Sequence, residues 1–434
     1  MNRRTLLERT LFGAASVGLR GLATGLPTWM FLRPVSSWAA DAAACQLPDR
    51  STAQHLIIAT SSAGDPVNAN VPGTYDFPDI AHAPDPRMAA APLLLGQQSF
   101  TAAQVWSTLP DWVRARTCFF HHATLTNNHP NLPKVMRLMG ATYKQEMLPS
   151  ILAKQLAPCL GTVQTEPLSV GAGEILTFEG RGLPNLPPTG LRDVLTKPDG
   201  ALLRLQDLRD QHLDRMHALL KQRGTAEQRD FLDRMALSRT QARSIGSDLL
   251  DNLSAITSDK GDGPLIAAAT LIKMNVAPVV AIKIDFGGDN HSDEGLVREA
   301  DQHETGVAAI SKLQQTLQGL GIVDSTTFAL FNVFGRTLKK LGQKGRDHWA
   351  SHHATIMIGK AIRPGVVGGL EPKAGDYYCL PIDSATGKGA ASGDIEFADT
   401  LAAMGKTVGA AVGLPAASLD AAIARGKIVR GALV

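Results

Sequence analysis

Five short apolar runs along the chain predict buried β-strands. They cover residues 55–60, 116–120, 277–286, 325–334 and 354–359. Several of these runs are continuously apolar rather than alternating, which is typical of strands covered on both faces of a parallel sheet. Helical patterns stand between the strands, and this alternation predicts an α/β fold with a doubly wound, mostly parallel sheet.

Four longer stretches have apolar side chains three or four residues apart, the spacing of helices that pack on a core. They cover residues 133–157, 264–274, 293–320 and 395–425. Pro149 falls inside the first stretch and predicts a break in that helix. Together these helices can cover both faces of the sheet.

A charged, Leu-rich segment at about 201–258 interrupts the alternation of strands and helices. Its apolar residues recur at helical spacing without a sustained heptad repeat, which favours a helical insertion over a coiled coil. We therefore predict one α/β domain over residues 45–434 that contains this insertion. The segment 201–255 has two open interpretations, a docking arm for a protein partner and a lid over the site.

The first 44 residues, 1–44, predict an export signal. Arg3 and Arg4 precede a mostly apolar stretch, and the segment ends in small residues. This order is typical of a removable signal, and the paired arginines indicate the twin-arginine pathway. Arg20 and Pro27 interrupt the apolar stretch, so we expect no stable membrane span in the mature chain. The predicted location is periplasmic or otherwise exported.

The charge of the chain argues against a nucleic-acid partner, and its cysteine spacing argues against a Cys-based zinc site. The 43 basic and 40 acidic residues give a formal net charge of +3, without a long run of like charge. Such a balance lacks the basic footprint of a nucleic-acid-binding protein, and we expect no nucleic acid as a partner. The four Cys residues lie far apart, so they indicate no Cys-based zinc site and their spacing does not reveal their pairing.

Polar side chains gather after the predicted strands. In an open α/β sheet the functional site lies beyond the carboxyl ends of the strands. The stretch 345–353, GRDHWASHH, directly precedes the last strand and contains three of the chain's 12 histidines. The polar residues expected at this edge are Asp65, His121, His122, Asn128, His129, Asp289, His291, Arg336, Arg346, Asp347 and His348.

Carboxylates and neutral imidazoles at this edge predict a site for one divalent metal ion. Asp289 and His291 lie two residues apart, so in an extended segment both side chains point to one side and can bind one ion. Asp65 and His348 complete the predicted ligand set. Each residue also has a structural explanation, Asp65 as a turn residue, Asp289 as a helix cap and His348 as a loop histidine.

Two arginines at the same edge predict an anionic partner. Arg336 and Arg346 can bind phosphate or sulfate oxygens through two N–H groups each. The predicted partner is therefore a small molecule or glycan that bears phosphate or sulfate.

The stretches AGDPVN, GGDNHSD, FGRT and GRDHW occur in this order, after the export signal and around the helical insertion. In this they resemble the twin-arginine-exported family called domain of unknown function 1501, which is similar to the alkaline phosphatase and sulfatase superfamily. The resemblance implies an alkaline-phosphatase-like fold and a site for phosphate or sulfate esters with Zn, Mn or Ca. It matches Asp65, Asp289, His291 and His348 to metal ligands, and the candidates for catalysis are His129, Arg336 and Asp347.

Two departures from that family indicate a partly eroded site. Asn332 and Val333 precede FGRT where relatives carry Ser-Glu, and Asn128 precedes His129 where relatives carry Ser. Valine cannot bind a metal, and an amide is no nucleophile for covalent phosphoryl transfer. Two functions remain open, metal-dependent ester hydrolysis without a covalent intermediate and a non-catalytic binding or assembly protein of the periplasm or cell surface.

Overall fold

The computed structural model describes residues 45, 47, 49–162, 164–171, 176–196, 203–225, 229, 232–233, 236, 247–284, 286, 288–340 and 344–434. The predicted export signal at 1–44 lies outside the described residues, as does much of the insertion between 226 and 246. The signal, the domain boundaries and the role of the insertion therefore stay predictions.

The strands follow the predicted apolar runs and add several short ribbons. In chain order they are β1 (His55–Ser61), β2 (Ala90–Leu95), β3 (Gln98–Ala103), β4 (Thr117–His122), β5 (Leu168–Val170), β6 (Thr177–Phe178), β7 (Arg181–Gly182), β8 (Asn185–Leu186), β9 (Val279–Lys283), β10 (Thr326–Asn332), β11 (Gly335–Arg336), β12 (His348–Trp349), β13 (His353–Ile358), β14 (Gly365–Val367), β15 (Leu370–Lys373) and β16 (Asp376–Cys379). All five predicted strands are confirmed, as β1, β4, β9, β10 and β13.

An eight-stranded sheet forms the centre of the fold, in the order β14-β4-β13-β10-β1-β9-β5-β8. β13 runs antiparallel to both of its neighbours, and the other neighbouring pairs are parallel. The predicted mostly parallel α/β sheet is confirmed. Because β13 is reversed, it begins at the edge where the parallel strands end, and this places the loop before it at that edge.

The α-helices of the described residues are α1 (Asp111–Arg114), α2 (Leu132–Met136), α3 (Leu148–Leu160), α4 (Pro188–Thr196), α5 (Leu203–Arg223), α6 (Ser247–Ser254), α7 (Asp262–Lys273), α8 (Val297–Gly319), α9 (Thr400–Ala411) and α10 (Ala416–Ala422). In the part of the chain that the structure describes, no helix is both long enough and apolar enough to cross a bilayer.

Helices cover both faces of the sheet, as a doubly wound fold requires. On one face, Leu271 of α7 and Ile310 of α8 share an apolar core with Ile57 of β1. On the other face, Leu152 of α3 shares a second core with Ile58 of β1. Successive strand residues point to opposite faces, and both residues of β1 are fully buried. The continuous apolar pattern of β1 therefore reflects a strand that is covered on two sides.

The helix predicted over 133–157 is wrong in its extent. The α-helices there are α2 and α3, and between them two short 3₁₀ turns contain left-handed residues at Leu138, Met139, Lys144 and Gln145. Pro149 lies in the first turn of α3, where a missing N–H breaks no helical hydrogen bond. The proline therefore begins a helix rather than interrupting one.

A disulfide joins Cys45 to Cys159 near the end of α3. Cys45 is the first residue after the predicted signal, so the bond attaches the start of the predicted mature chain to the helical layer. Cys118 and Cys379 are free and buried.

Candidate functional site

The carboxyl edge of the central sheet brings six of the seven predicted site residues into contact. We call them the edge cluster, and its members are His129, Asp289, His291, Arg336, Asp347 and His348. They come from the segments after β4, β9 and β10 and from the segment that leads into β13. These segments meet because parallel strands end at one edge and the reversed β13 begins there.

His291 lies between Asp347 and Arg336. Its Nδ1 is 2.9 Å from Asp347 Oδ1, and its Nε2 is 3.2 Å from Arg336 Nη1. A carboxylate only accepts and a guanidinium only donates, so a neutral ring must carry its proton on Nδ1 and a lone pair on Nε2. The two partners thus determine both the tautomer and the orientation of this imidazole.

Two further imidazoles adopt the same tautomer beside His291. The Nδ1 of His348 donates to the carbonyl of Asn127 at 2.7 Å, and the Nδ1 of His129 donates to the carbonyl of Ser62 at 2.8 Å. The ring centroid of His348 lies 4.6 Å from those of both His129 and His291. Burial lowers the pKa of His348, and its buried Nε2 has no hydrogen-bond partner among the described residues.

Asp289 is an exposed acid of the edge cluster. Its Oδ1 lies 3.5 Å from His291 Nε2 and 3.7 Å from Arg336 Nη1, and its side chain is 62% exposed. Partial burial acts to raise the pKa of Asp289, but the backbone N–H of His291 and the charge of Arg336 outweigh it and lower the pKa. The carboxylate is therefore ionised at neutral pH.

Arg336 has a protein acceptor for each of its five N–H groups. The acceptors are Nε2 of His291 and the carbonyl oxygens of Ala63, Gly64, Gly288 and Arg346. The side chain is fully buried. In this arrangement Arg336 connects the loops through hydrogen bonds to their carbonyl groups, and it has no N–H left to donate to an anion.

Arg346 is equally saturated and equally buried. Its five N–H groups donate to the carboxylate of Glu299 and to the carbonyl oxygens of Ala81, Thr337 and Leu338. The ion pair with Glu299 has no exposed side-chain surface on either partner. Neither arginine therefore offers an anion the free pair of donors that the sequence led us to expect.

Asp65 lies beside the edge cluster rather than in it. It is fully buried and accepts hydrogen bonds from the Ser61 hydroxyl at 3.2 Å and the Phe286 N–H at 3.4 Å. Its side chain does not cap the short 3₁₀ turn that follows it. Its neighbour Gly64 accepts from Arg336, and the negative charge of Asp65 acts on that guanidinium.

The positions that would supply a nucleophile and a further metal ligand have other roles. Asn128 occupies the position of the nucleophile, and the hydroxyl of Thr126, two residues earlier, accepts from the Asn128 backbone and from the Asn131 amide. Val333 is fully buried in the second apolar core. The Asn332 side chain accepts from the Val333 N–H. Both of these hydrogen bonds to the Thr126 hydroxyl come from amide groups rather than from an imidazole of the edge cluster.

A metal ion would have to draw the donor atoms of the edge cluster closer together. As placed, no three or more His, Cys, Asp or Glu side chains of the described ranges are arranged to hold an ion. Asp289 Oδ1 and His291 Nε2 are nevertheless 3.5 Å apart. Two ligand atoms that each lie about 2.1 Å from one tetrahedral zinc ion are separated by about 3.4 Å. The unpaired Nε2 of His348 is the buried atom that such an ion would satisfy.

Sequence reasoning missed Glu299 and Asn70, which bind these loops through buried hydrogen bonds. Glu299, Asn70 and Asn290 form a buried hydrogen-bonded group with Arg346. The sequence contained a signal that Glu299 is buried. Glu299 lies four residues before His303 and eleven residues before Ile310, and this spacing places it on the apolar side of its helix. A charged residue at such a spacing indicates a buried and paired side chain.

Comparison with known proteins supports the family resemblance over part of the chain. The family model described as a protein of unknown function, DUF1501, matches residues 193–379, which include every member of the edge cluster except His129. No curated protein matches the chain.

Solved structures include distant matches. One is the lipoteichoic acid synthase LtaP from Listeria monocytogenes, with 8% sequence identity and a TM-score of 0.30 over 73% of this chain and 68% of that chain. A similarity this low carries no argument about function. Over residues 193–379, the chain thus resembles the DUF1501 proteins, whose function is unknown.

Proposed function

We propose that the edge cluster binds one divalent transition-metal ion through Asp289, His291 and His348. The observation that carries the proposal is the buried, unpaired Nε2 of His348 beside the imidazole of His291. The Nε2 lone pair of His291 accepts from Arg336 in this structure, and binding of an ion would replace that hydrogen bond. A buried polar atom without a partner is unfavourable unless a water or an ion completes its shell. Imidazole and carboxylate together are ligands that zinc and manganese accept.

The hydrogen bonds around the two imidazoles support this proposal. A metal-binding histidine almost always donates its other ring N–H to a carboxylate or a backbone carbonyl. Asp347 accepts from His291 in this way, and the carbonyl of Asn127 accepts from His348. His129 has the same pattern through a backbone carbonyl and is the further ligand candidate.

The reaction proposed for this site is hydrolysis of a phosphate or sulfate ester, on a small molecule or a glycan, without a covalent intermediate. A bound divalent ion supplies Lewis acidity toward an ester oxygen. The chain's own residues orient the site, because Asp347 holds the His291 ring and Arg336 holds the surrounding loops through their carbonyl groups. Zinc and manganese suit these ligands better than calcium, which prefers oxygen donors.

Metal titration tests the binding proposal. Zn²⁺ and Mn²⁺ are titrated calorimetrically into protein freed of metal by chelation, and protein purified without chelator is subjected to elemental analysis. We expect one ion per chain and an affinity at least about tenfold lower in His291→Ala and in His348→Ala. The control is His212→Ala, which removes an exposed imidazole from α5. A chain that binds no ion, or binds it equally well in both cluster variants, contradicts the proposal.

A second function, binding without catalysis, is favoured by the saturated arginine and the missing nucleophile. Arg336 has no N–H left for a substrate anion, and Asn128 is an amide. A panel of phosphatase, sulfatase and phosphodiesterase substrates with Zn²⁺, Mn²⁺ and Ca²⁺ separates the two functions. Turnover that vanishes in Asp289→Asn supports hydrolysis, and metal binding without turnover supports the binding protein.

We propose export through the twin-arginine pathway to the periplasm or cell surface. The disulfide between Cys45 and Cys159 supports an oxidising compartment, where such bonds persist. Replacement of Arg3 and Arg4 by lysine, followed by cell fractionation, tests the pathway. We expect the variant to stay in the cytoplasm, and unchanged export would contradict this assignment.

A protein partner is proposed to dock on the insertion at 201–255. Leu219 of α5 supports this, because its side chain is 64% exposed on a charged helix. Deletion of 201–255 separates the two interpretations of the segment. Loss of a co-purifying partner with unchanged metal binding supports a docking arm, and altered substrate access without loss of a partner supports a lid.

A further inference from the structure

One buried carboxylate contacts three loops at the functional edge. Glu299 lies in the first turn of α8 and is fully buried. Its Oε1 accepts from Asn70 Nδ2 at 2.5 Å and from Arg346 Nη2 at 3.0 Å. Its Oε2 accepts from Asn290 Nδ2 at 3.0 Å and from Arg346 Nε at 2.8 Å. Both oxygens therefore have two donors each.

The three partners of Glu299 belong to three different segments. Asn70 ends the turn after β1, Asn290 lies between two residues of the edge cluster, and Arg346 directly precedes two more. Two of these segments also touch each other, since the Gly345 N–H donates to the His291 carbonyl at 2.8 Å. A Cβ at Gly345 would lie 1.7 Å from the Asn290 carbonyl oxygen. The segments are therefore packed too closely to shift independently.

The charge of Glu299 is essential to this arrangement. Burial acts to raise the pKa of Glu299, but the charge of Arg346 and its N–H bonds outweigh burial and lower the pKa. The pair is thus an ionised, hydrogen-bonded pair without exposed surface. Removal of one charge would leave the other buried and unpaired, which is strongly unfavourable.

We propose that Glu299 is the positioning residue of the edge cluster, and that it holds His291 and His348 at their 4.6 Å ring separation, within reach of the acceptors that set their Nδ1–H tautomers, Asp347 and the Asn127 carbonyl. The proposal rests on the proposed function, because these are the imidazoles that would bind the ion. The carboxylate comes from a helix of 23 residues whose buried face packs on the sheet, and a rigid element of this kind holds a site more precisely than a loop does.

The experiment uses the full chain labelled with ¹⁵N-histidine. Long-range ¹H–¹⁵N spectra report the tautomer of each imidazole in the absence of metal, and calorimetry with Zn²⁺ reports binding. In Glu299→Gln we expect the signals of His291 and His348 to move towards mixed tautomers and the zinc affinity to fall about 10- to 100-fold. Asn290→Ala removes only the hydrogen bond from Asn290 to Glu299. We expect it to shift the His291 signal while the His348 signal stays unchanged.

Two controls on the same helix separate positioning from loss of stability. Glu304→Gln makes the same chemical change at a carboxylate that is 60% exposed, and Val307→Ala removes buried methyl groups from the apolar face. We expect both controls to retain the wild-type signals of His291 and His348.

The outcomes distinguish the two proposals. Unchanged imidazole signals in both Glu299→Gln and Asn290→Ala overturn the positioning role, and so do shifted signals in Val307→Ala. If Glu299→Gln fails to fold, the His291 signal of Asn290→Ala tests the positioning role. A wild-type chain that binds no Zn²⁺, together with shifted signals in Glu299→Gln, refutes the metal proposal and supports the positioning role.

Discussion

We expect four buried imidazoles to make the stability of this fold depend on pH. His121 and His122 end β4, while His352 and His353 lie at the start of β13. His121 Nδ1 and His352 Nε2 are 2.8 Å apart, so one of the two nitrogens donates and the other accepts. His122 Nε2 lies 2.9 Å from the Thr355 hydroxyl. None of their described hydrogen-bond partners is a carboxylate, so a positive charge on these rings would be uncompensated.

The sign and size of the effect follow from the shifted pKa values. Burial lowers the pKa of His121 and of His122 from 6.5 to about 4, and burial also lowers the pKa of His352 and His353. Between the ordinary pKa of 6.5 and the lowered pKa of about 4, the unfolded chain binds protons that the native chain excludes. The free energy of unfolding therefore decreases as the pH falls below 6.5. For His121 and His122 together, the free energy of unfolding falls by about 4 kcal/mol between about pH 6.5 and 4.5.

Urea unfolding followed by tryptophan fluorescence, from about pH 7.5 to 4.5, measures this dependence. Near about pH 5 we expect His122→Gln to reduce the slope by about 1 kcal/mol per pH unit, because one buried proton site is removed. The control His212→Gln, at an exposed position of α5, is expected to leave the slope unchanged. A free energy of unfolding that stays constant from about pH 7.5 to 5 would refute the reasoning, since the native chain would then protonate these rings as readily as the unfolded chain.

Two further predictions concern the disulfide and the edge cluster. Cys45→Ser removes a cross-link over 114 positions of sequence, and the chain-entropy model predicts a loss of up to about 5 kcal/mol of unfolding free energy. The urea midpoint measures this loss. A reducing agent should lower the midpoint of the wild type but not that of the variant, and an equal decrease in both would contradict the prediction. Asp347→Asn replaces the carboxylate that accepts from His291, so zinc affinity should fall about 10- to 100-fold. Its urea midpoint should not change, because both side chains are partly exposed, and equal zinc affinity would show that Asp347 does not orient the ring.

Much of the sheet and of its carboxyl edge could be predicted from the sequence. The run at 55–60 became β1 and the run at 354–359 became β13, because an apolar run between turn residues is a local signal. The rule that sites follow strand ends then led to His291, which the structure brings into ring contact with His348. Local patterns were sufficient for the residues that follow parallel strands, whereas the segment before β13 reaches the same edge only because that strand is antiparallel.

The helix over 133–157 shows where local patterns failed. Its residues have helical spacing, yet Met139 and Lys144 adopt left-handed backbone conformations, with φ values of 52° and 56°. The backbone N–H of Ala424 donates to the carbonyl of Ala141, so contacts with a distant segment replace helical hydrogen bonds. Tertiary contacts outweighed a helix propensity that amounts to only fractions of a kcal/mol per residue.

The sequence by itself determined the α/β alternation, five of the eight strands of the central sheet and the six residues that meet in the edge cluster. Only the tertiary structure decided how those residues are used. Arg336 donates to Gly64, 272 positions away, and Glu299 accepts from Asn70, 229 positions away. A guanidinium or a carboxylate has the same sequence signal whether it binds a ligand or the protein's own backbone, and its role depends on which donors and acceptors the fold brings within about 3 Å.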